Sequence, residues 1–389
     1  MAHFAAGIGA RGEAAHLAWT KTFAAYRVKF PALAAEVEQM QRRELPAGWD
    51  KNLPVFPADA KGLAGRDASG QVLNVLAQNV PWFIGGSADL GPSNKTTLKY
   101  AGAGDFEPGT PGGKNLHYGI REHAMAAAVN GMALSKLRPF GATFFIFSDY
   151  ARPAIRLSAL MELPTLMVFT HDAMGDGEDG PTHQPIEQLA SLRAIPGLTV
   201  LRPGDANEVV EAYRTLLQFK HRPTLLVLSR QALPTLDRSK LASAAGVSKG
   251  AYVLVDAKGA EGDAEPGGLP ELILIATGSE LSLAVDAHEK LLAAGVRSRV
   301  VSMPSWDMFE QQTPEYRASV LPPEVTARVA IEQASTFGWE RYVGAAGRVV
   351  GMTTFGASAP LKALQQEFGF TTDNVVAVAM EVRRRSAGG

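Results

Sequence analysis

The chain has 389 residues, with Lys+Arg 38 against Asp+Glu 39, a formal net charge of −1, 46% hydrophobic residues, 20% charged residues and no cysteine. A near-neutral chain has no global field to draw it onto nucleic acid or anionic lipid, and the absence of cysteine excludes a disulfide scaffold, a thiol nucleophile, a cysteine-ligated zinc and an iron–sulfur cluster. At about 150 residues per domain the length allows roughly two to three domains, no run reaches the about 18 apolar residues of a membrane helix, and the start, Met1-Ala-His-Phe, lacks the pattern of a signal peptide, so a soluble, cytoplasmic protein is expected.

Residues 13–43 predict two helices. Trp19, Phe23, Tyr26 and Phe30 recur at helical spacing, and Leu33, Val37 and Met40 continue the stripe after Pro31. With no strand before them they read as a connector, residues 1–48. From about 65 to 235 short apolar strands alternate with helical stretches: Trp82–Ile84, ended by Gly85-Gly86; helical spacing over 120–137; then the strands Thr165–Thr170 and Leu225–Leu228. The polar, glycine-rich residues 256–269 predict a loop near a boundary. A second unit follows, with the strand Leu272–Ala276, a turn at Gly278-Ser279, a helix to about 294 and the strand Ser298–Met303. The expected fold class is α/β: two consecutive three-layer domains with mostly parallel sheets, 49–240 and 241–389, behind the helical connector.

Two segments match G-x-G-x-x-G, and neither is a nucleotide fingerprint. Gly7-Ile-Gly9-Ala-Arg-Gly12 has no room for a preceding strand. Gly175-Asp-Gly177-Glu-Asp-Gly180 carries three carboxylates that would repel a pyrophosphate. The informative stretch is 170–187, THDAMGDGEDGPTHQPIE, at the carboxyl end of a buried strand, where open α/β sheets place ligands. His171 and His183 lie within it, at a spacing that matches no standard metal-ligand pattern. It reads as turn chemistry or as a rigid polar site. In YGIREHAM, Glu122 opens a helix, where a carboxylate favours the dipole whatever else it does. Phe144, Phe147 and Tyr150 recur every three residues, as core or as a ligand wall. GGSADLGPSN follows a strand, and its glycines and Ser93 bind an anion or simply turn the chain.

Taken together, GGSADLGPSN, YGIREHAM, GATFFIFSDYA, THDAMGDGEDGPTHQPIEQLASLR, LRPGDANEV and LSRQALP, followed by IATGSE, SMPSWDMF and EQASTFGW, resemble the transketolase family in order and spacing over nearly the whole chain. The resemblance implies thiamine diphosphate held between two domains, one binding the diphosphate and its metal, the other the aminopyrimidine. Glu122 matches the glutamate that hydrogen-bonds the pyrimidine ring nitrogen, which requires a carboxyl able to share a proton. Phe147 matches the aromatic that stacks on the pyrimidine, with Phe144 and Tyr150 lining the same pocket and Asp89 near the cofactor. His171 and His183 match histidines that hydrogen-bond sugar hydroxyls and shuttle protons. Asp179 matches the carboxylate that reads the acceptor's C2 hydroxyl. Arg66, Ser93 and Arg230 match the sugar-phosphate clamp. The implied reaction moves a two-carbon ketol unit from a ketose phosphate to an aldose phosphate, in a homodimer.

One departure bears on activity. The family's diphosphate-binding domain, with its Gly-Asp-Gly…Asn motif, has no counterpart in these residues. Gly175-Asp-Gly177 does not replace it, because it lies inside the substrate loop, where relatives often carry another residue at position 176, and no paired asparagines follow at Ala206-Asn207. The chain is therefore expected to bring the pyrimidine half of the site and no metal ligands, with Mg or Ca bound only when the diphosphate-binding domain is supplied, for example as a separate chain. The alternatives are a non-catalytic assembly protein with this fold, and a deoxyxylulose phosphate synthase-like relative. The latter share the layout without the two-histidine loop.

Overall fold

The computed structural model describes residues 1–256 and 268–387, so most of the loop expected at 256–269 lies outside the described residues. The chain divides into two units, Met1–Trp49 and Asp50–Gly389.

In the first unit, helices span Ala10–Lys29 and Pro31–Gln41, and the helical backbone extends back to Ala2, further than the periodicity predicts. Pro31 occupies the first turn of the second helix, where its missing N–H costs nothing. The aromatic stripe forms a ladder along the first helix, with ring centroids 5.1 Å apart for Trp19–Phe23 and 5.1 Å for Tyr26–Phe30.

The second unit is built on strands β1 (Asp59–Ala64), β2 (Phe83–Ser87), β3 (Asn115–His117), β4 (Arg138–Phe144), β5 (Leu166–Thr170), β6 (Thr199–Leu201), β7 (Thr224–Leu228), β8 (Ala232–Thr235), β9 (Tyr252–Val255), β10 (Leu272–Ala276), β11 (Ser298–Ser302), β12 (Arg328–Ser335) and β13 (Arg348–Met352). A six-stranded sheet has the order β3-β2-β4-β5-β7-β6, with every pairing parallel. A five-stranded sheet has the order β13-β12-β10-β11-β9, in which only β9 runs antiparallel. The short pair β1–β8 is antiparallel. Buried runs such as Leu-Met-Val-Phe-Thr in β5 and Leu-Ile-Leu-Ile-Ala in β10 are what a sheet covered on both faces demands. Phe145, Phe169, Met125, Val129 and Ile155 pack together beside the first sheet.

Gly85-Gly86 do not end β2, as expected, but lie inside it. A Cβ on Gly86 would stand 1.8 Å from the Leu116 carbonyl oxygen, and one on Gly85 2.3 Å from that of Phe140. These glycines let neighbouring backbones close in rather than turning the chain.

Two arginines join the sheets. Arg193 forks onto Glu332 of β12 at 2.9 and 2.7 Å and lies 4.1 Å over the Trp306 ring. Arg202, fully buried, donates to Asp172 (2.9 Å) on one side and to Glu280 (2.5 Å) and Thr277 (2.9 Å) on the other.

Candidate active site

Because the six strands are parallel, their carboxyl ends share one edge. The chain leaves β2 toward β3 on one side and returns to β4 on the other, which opens a crevice at that edge. The segments after β2, β4, β5 and β7 carry Asp89 and Ser93, Phe147 and Tyr150, His171 to His183, and Arg230.

A buried hydrogen-bond chain crosses beneath this edge. The Ser87 hydroxyl donates to Asn94 Oδ1 (2.7 Å), Asn94 Nδ2 donates to Thr170 Oγ1 (2.7 Å), and Thr170 Oγ1 lies 2.8 Å from His171 Nδ1. The Thr170 hydroxyl, which also accepts from Asn94, is the hydrogen-bond partner of Nδ1 and orients the ring. His171 adopts φ 63°, a left-handed conformation costly for a side chain with a Cβ, and its ring lies against Phe144 at 3.6 Å between centroids. Burial, reinforced by Arg66 and Arg230, pushes its pKa down to about 3, so the ring is neutral near pH 7.

Ser229 ties the Arg66 segment to the Arg230 segment. Its hydroxyl accepts from the Gly65 N–H (2.9 Å) and its carbonyl from the Arg66 N–H (3.2 Å). That fixes the start of helix Gly65–Asn79 beside Arg230. Arg66 Nη1 donates to the Ser93 carbonyl (3.0 Å), and Arg230 Nη1 to the Gly175 carbonyl (3.3 Å). Asp176 lies between them and His171: its Oδ1 is 3.7 Å from His171 Nε2 and 3.8 Å from Arg230 Nε. Both Asp176 oxygens are buried without a hydrogen-bond partner, and burial pushes the carboxyl up to about 7.

The aromatic wall is half-buried. Phe144 and Phe147 lie 5.9 Å apart with planes 11° from parallel, and His183 stands edge-on to Phe147 at 5.7 Å. Tyr150 continues the row at 6.1 Å from Phe147 but is 65% exposed. Glu122 begins helix Glu122–Leu134 and is buried. That helix packs on β4 and on helix Ser148–Leu160, the elements that carry Phe144 and Tyr150. The Tyr118, Thr143 and Ser148 hydroxyls, neighbours in sequence of Glu122 and of the wall, are buried with no hydrogen bond. A flat heteroaromatic ring with hydrogen-bonding edges suits such a surface. Asp89, at φ 60°, and Asp179 are exposed at the rim. Gly177 and Gly180, at φ 59° and 74°, fold the loop back, and the second sheet's domain covers it: Gln184 Nε2 donates to the carbonyls of Gly177 and Ala357, both at 3.0 Å, and the Ser358 hydroxyl to that of Glu178 (2.5 Å).

The structure thus gathers Arg66, Ser93, His171 and Arg230 into one cluster and Phe144, Phe147, Tyr150 and His183 into an adjoining wall. The roles of Asn94, Thr170 and Asp172 escape sequence reasoning, since hydrogen-bond partners separated by dozens of residues leave no spacing signal, and so does the burial of Asp176 without a partner. Among the described residues no group of three or more His, Asp or Glu side chains is placed to hold a metal ion, and no helix is long and apolar enough to cross a membrane.

The family model described as the transketolase pyrimidine-binding domain matches residues 61–235, and that of the transketolase-like C-terminal domain matches 250–371. Fold and site therefore define this tandem of α/β domains. A transketolase of Geobacillus stearothermophilus is 52% identical over 376 residues, which are 96% of this chain and 55% of that protein. The solved transketolase from Leishmania mexicana superposes with a TM-score of 0.87 at 41% identity, over 96% of this chain and 53% of its own. The chain belongs to the transketolase family, and it spans about half the length of these relatives. A split-gene transketolase chain, solved as an inactive β4 tetramer, superposes at a TM-score of 0.64 and 25% identity over 84% of this chain and 99% of its own.

Proposed function

We propose that these residues form the pyrimidine and sugar-phosphate half of a transketolase, which moves a two-carbon ketol unit from a ketose phosphate to an aldose phosphate. The observation that carries this reading is the cluster of Arg66, Arg230 and His171, with Arg66 bonded to the Ser93 carbonyl, beside the Phe144–Phe147 wall at the carboxyl edge of a parallel sheet. The Arg66 and Arg230 guanidinium groups with Ser93 make a phosphate clamp, and the neutral His171 stands beside it. Phe147 stacks on the aminopyrimidine, Phe144 and Tyr150 line its pocket, and Asp89 stands near it. Glu122 hydrogen-bonds the ring nitrogen and shares its proton. His171 and His183 hydrogen-bond the sugar and hold or release protons at its carbonyl, and Asp179 reads the acceptor's C2 hydroxyl. Thiamine diphosphate, when bound, supplies the carbanion-stabilising chemistry, and its diphosphate with Mg or Ca is held by a domain outside these residues.

The exposed apolar side chains Ile120, Leu157, Leu160 and Met161 support association of two copies. The split-gene relative, spanned almost wholly by this chain and inactive as a β4 tetramer, supports a requirement for the other half. The test is reconstitution. The chain alone should show background ketol transfer, and adding a separately produced diphosphate-binding domain with thiamine diphosphate and magnesium should restore it. Glu122→Gln should lower the restored rate by about a hundredfold or more. Substantial turnover by the chain alone, or transfer only with pyruvate as donor, would overturn the proposal.

A further inference from the structure

Asp176 has no place in the chemistry above. It is 2% exposed, both of its oxygens lack a hydrogen-bond partner, and its Oδ1 lies 3.7 Å from His171 Nε2 and 3.8 Å from Arg230 Nε. These separations are too long for hydrogen bonds. A carboxylate left in this state costs desolvation with no hydrogen bond to offset it. The charged groups that bear on it are Arg66 from helix Gly65–Asn79, Arg230 after β7, and Asp172 and Asp179 from its own segment. His171 is neutral, with His183 beyond it. Asp172 is engaged by Arg202, so Asp176 is the carboxyl that answers the two clamp arginines. When ionised it cancels one of their two charges. When protonated it leaves both for an incoming anion and adds an O–H donor.

We propose that Asp176 is a specificity-determining residue that makes phosphate binding at the Arg66–Arg230 clamp proton-coupled. The proposal rests on the clamp reading above. As a carboxylic acid, Asp176 donates to a phosphate oxygen; as a carboxylate, it repels the dianion. Each phosphate dianion bound at alkaline pH is then accompanied by uptake of one proton from solvent onto Asp176, whereas an unphosphorylated sugar binds without it.

Calorimetric titration of the full chain with fructose 6-phosphate, in two buffers of different ionisation enthalpy, counts that proton. A phosphomonoester has its second ionisation near 6 and is dianionic throughout pH 7.5–8.5. The wild-type chain should take up close to one proton per ligand, and its dissociation constant should weaken about tenfold over that pH unit. Asp176→Asn and Asp176→Leu, a neutral mimic and an apolar replacement, should each bind with less than a twofold change and no uptake. A flat wild-type profile would overturn the proposal, and so would uptake that survives in both variants, which would belong to His171. Arg230→Ala separates this failure from failure of the clamp. If it loses phosphate-dependent binding while the wild-type profile is flat, only the role of Asp176 falls. If it binds like wild type, or if the wild type binds no sugar phosphate at any pH, the clamp reading falls as well.

Discussion

His171 and Asp176 face each other at 3.7 Å, and both are neutral in the folded protein near pH 6, for reasons that act in opposite senses on stability. The unfolded histidine takes up a proton near 6.5, whereas the buried ring resists it down to about 3, so its contribution to stability is lost as pH falls through that window. The unfolded aspartate ionises near 3.9, whereas the folded one holds its proton up to about 7. Its unfavourable contribution therefore grows as pH rises from about 4 to 7. Between pH 4 and 6.5 the two slopes oppose each other. Above pH 7 only the aspartate's penalty remains, so Asp176→Leu should raise the unfolding free energy measured in urea at pH 8, by at most about 4 kcal/mol, and by little at pH 4. An equal gain at both pH values would mean that packing rather than charge is responsible. Neither residue's state is legible from sequence. His171 stands out because it ends an apolar strand, but the chain that holds its ring runs through Thr170 to Asn94, 77 positions away in the sequence, and the isolation of Asp176 arises from the fold alone.

At the scale of elements, strands read most clearly where burial on both faces leaves a single interpretation, as in β5 and β10. Gly85-Gly86 mislead because glycine marks both a turn and a close backbone approach, and only the neighbouring strands decide which. The arginines joining the sheets are also silent in sequence, since Arg193 and Glu332 lie 139 positions apart. Burial opposes ionisation of Glu332, yet Arg193, Arg202 and the Thr277 hydroxyl hold its carboxyl down to about 2. Removing the charge strands Arg193 in a dry pocket, so Glu332→Gln should cost about 3–5 kcal/mol at pH 7. The folded carboxyl stays ionised below its unfolded value near 4.3, so this stabilisation is present above that value and disappears as pH falls toward 2. Denaturant titrations of wild type and variant should converge along that path. A constant difference down to pH 2.5 would show that the carboxylate charge is not what stabilises the joint.

For the molecule as a whole, motif order and spacing identify the family, because loops at the carboxyl edge of a parallel sheet bring distant motifs to one place. What they cannot convey is the cover over those loops. Gln184 bonds both Gly177 and Ala357, and the Ser358 hydroxyl reaches Glu178. The loop bearing His171, Asp176 and Asp179 is therefore tied by residues 357–358 to the second sheet's domain. Gln184→Ala should accelerate amide hydrogen exchange in 177–183 at least tenfold while leaving β4 and β5 protected. Unchanged exchange would show that the tie does not restrain the loop.

Arg202 reaches further than its role as a joint. Its guanidinium touches Asp172, the residue immediately after His171, and on its other side Glu280 at the head of helix Glu280–Ala293. A single side chain thus spans from the residue next to His171 to a domain that supplies no residue to the proposed chemistry. Heat, acid or substitution that slackens the far domain would be felt at His171 as a change in aim before either sheet comes apart. Sugar affinity should then serve as the early gauge of a loosening fold.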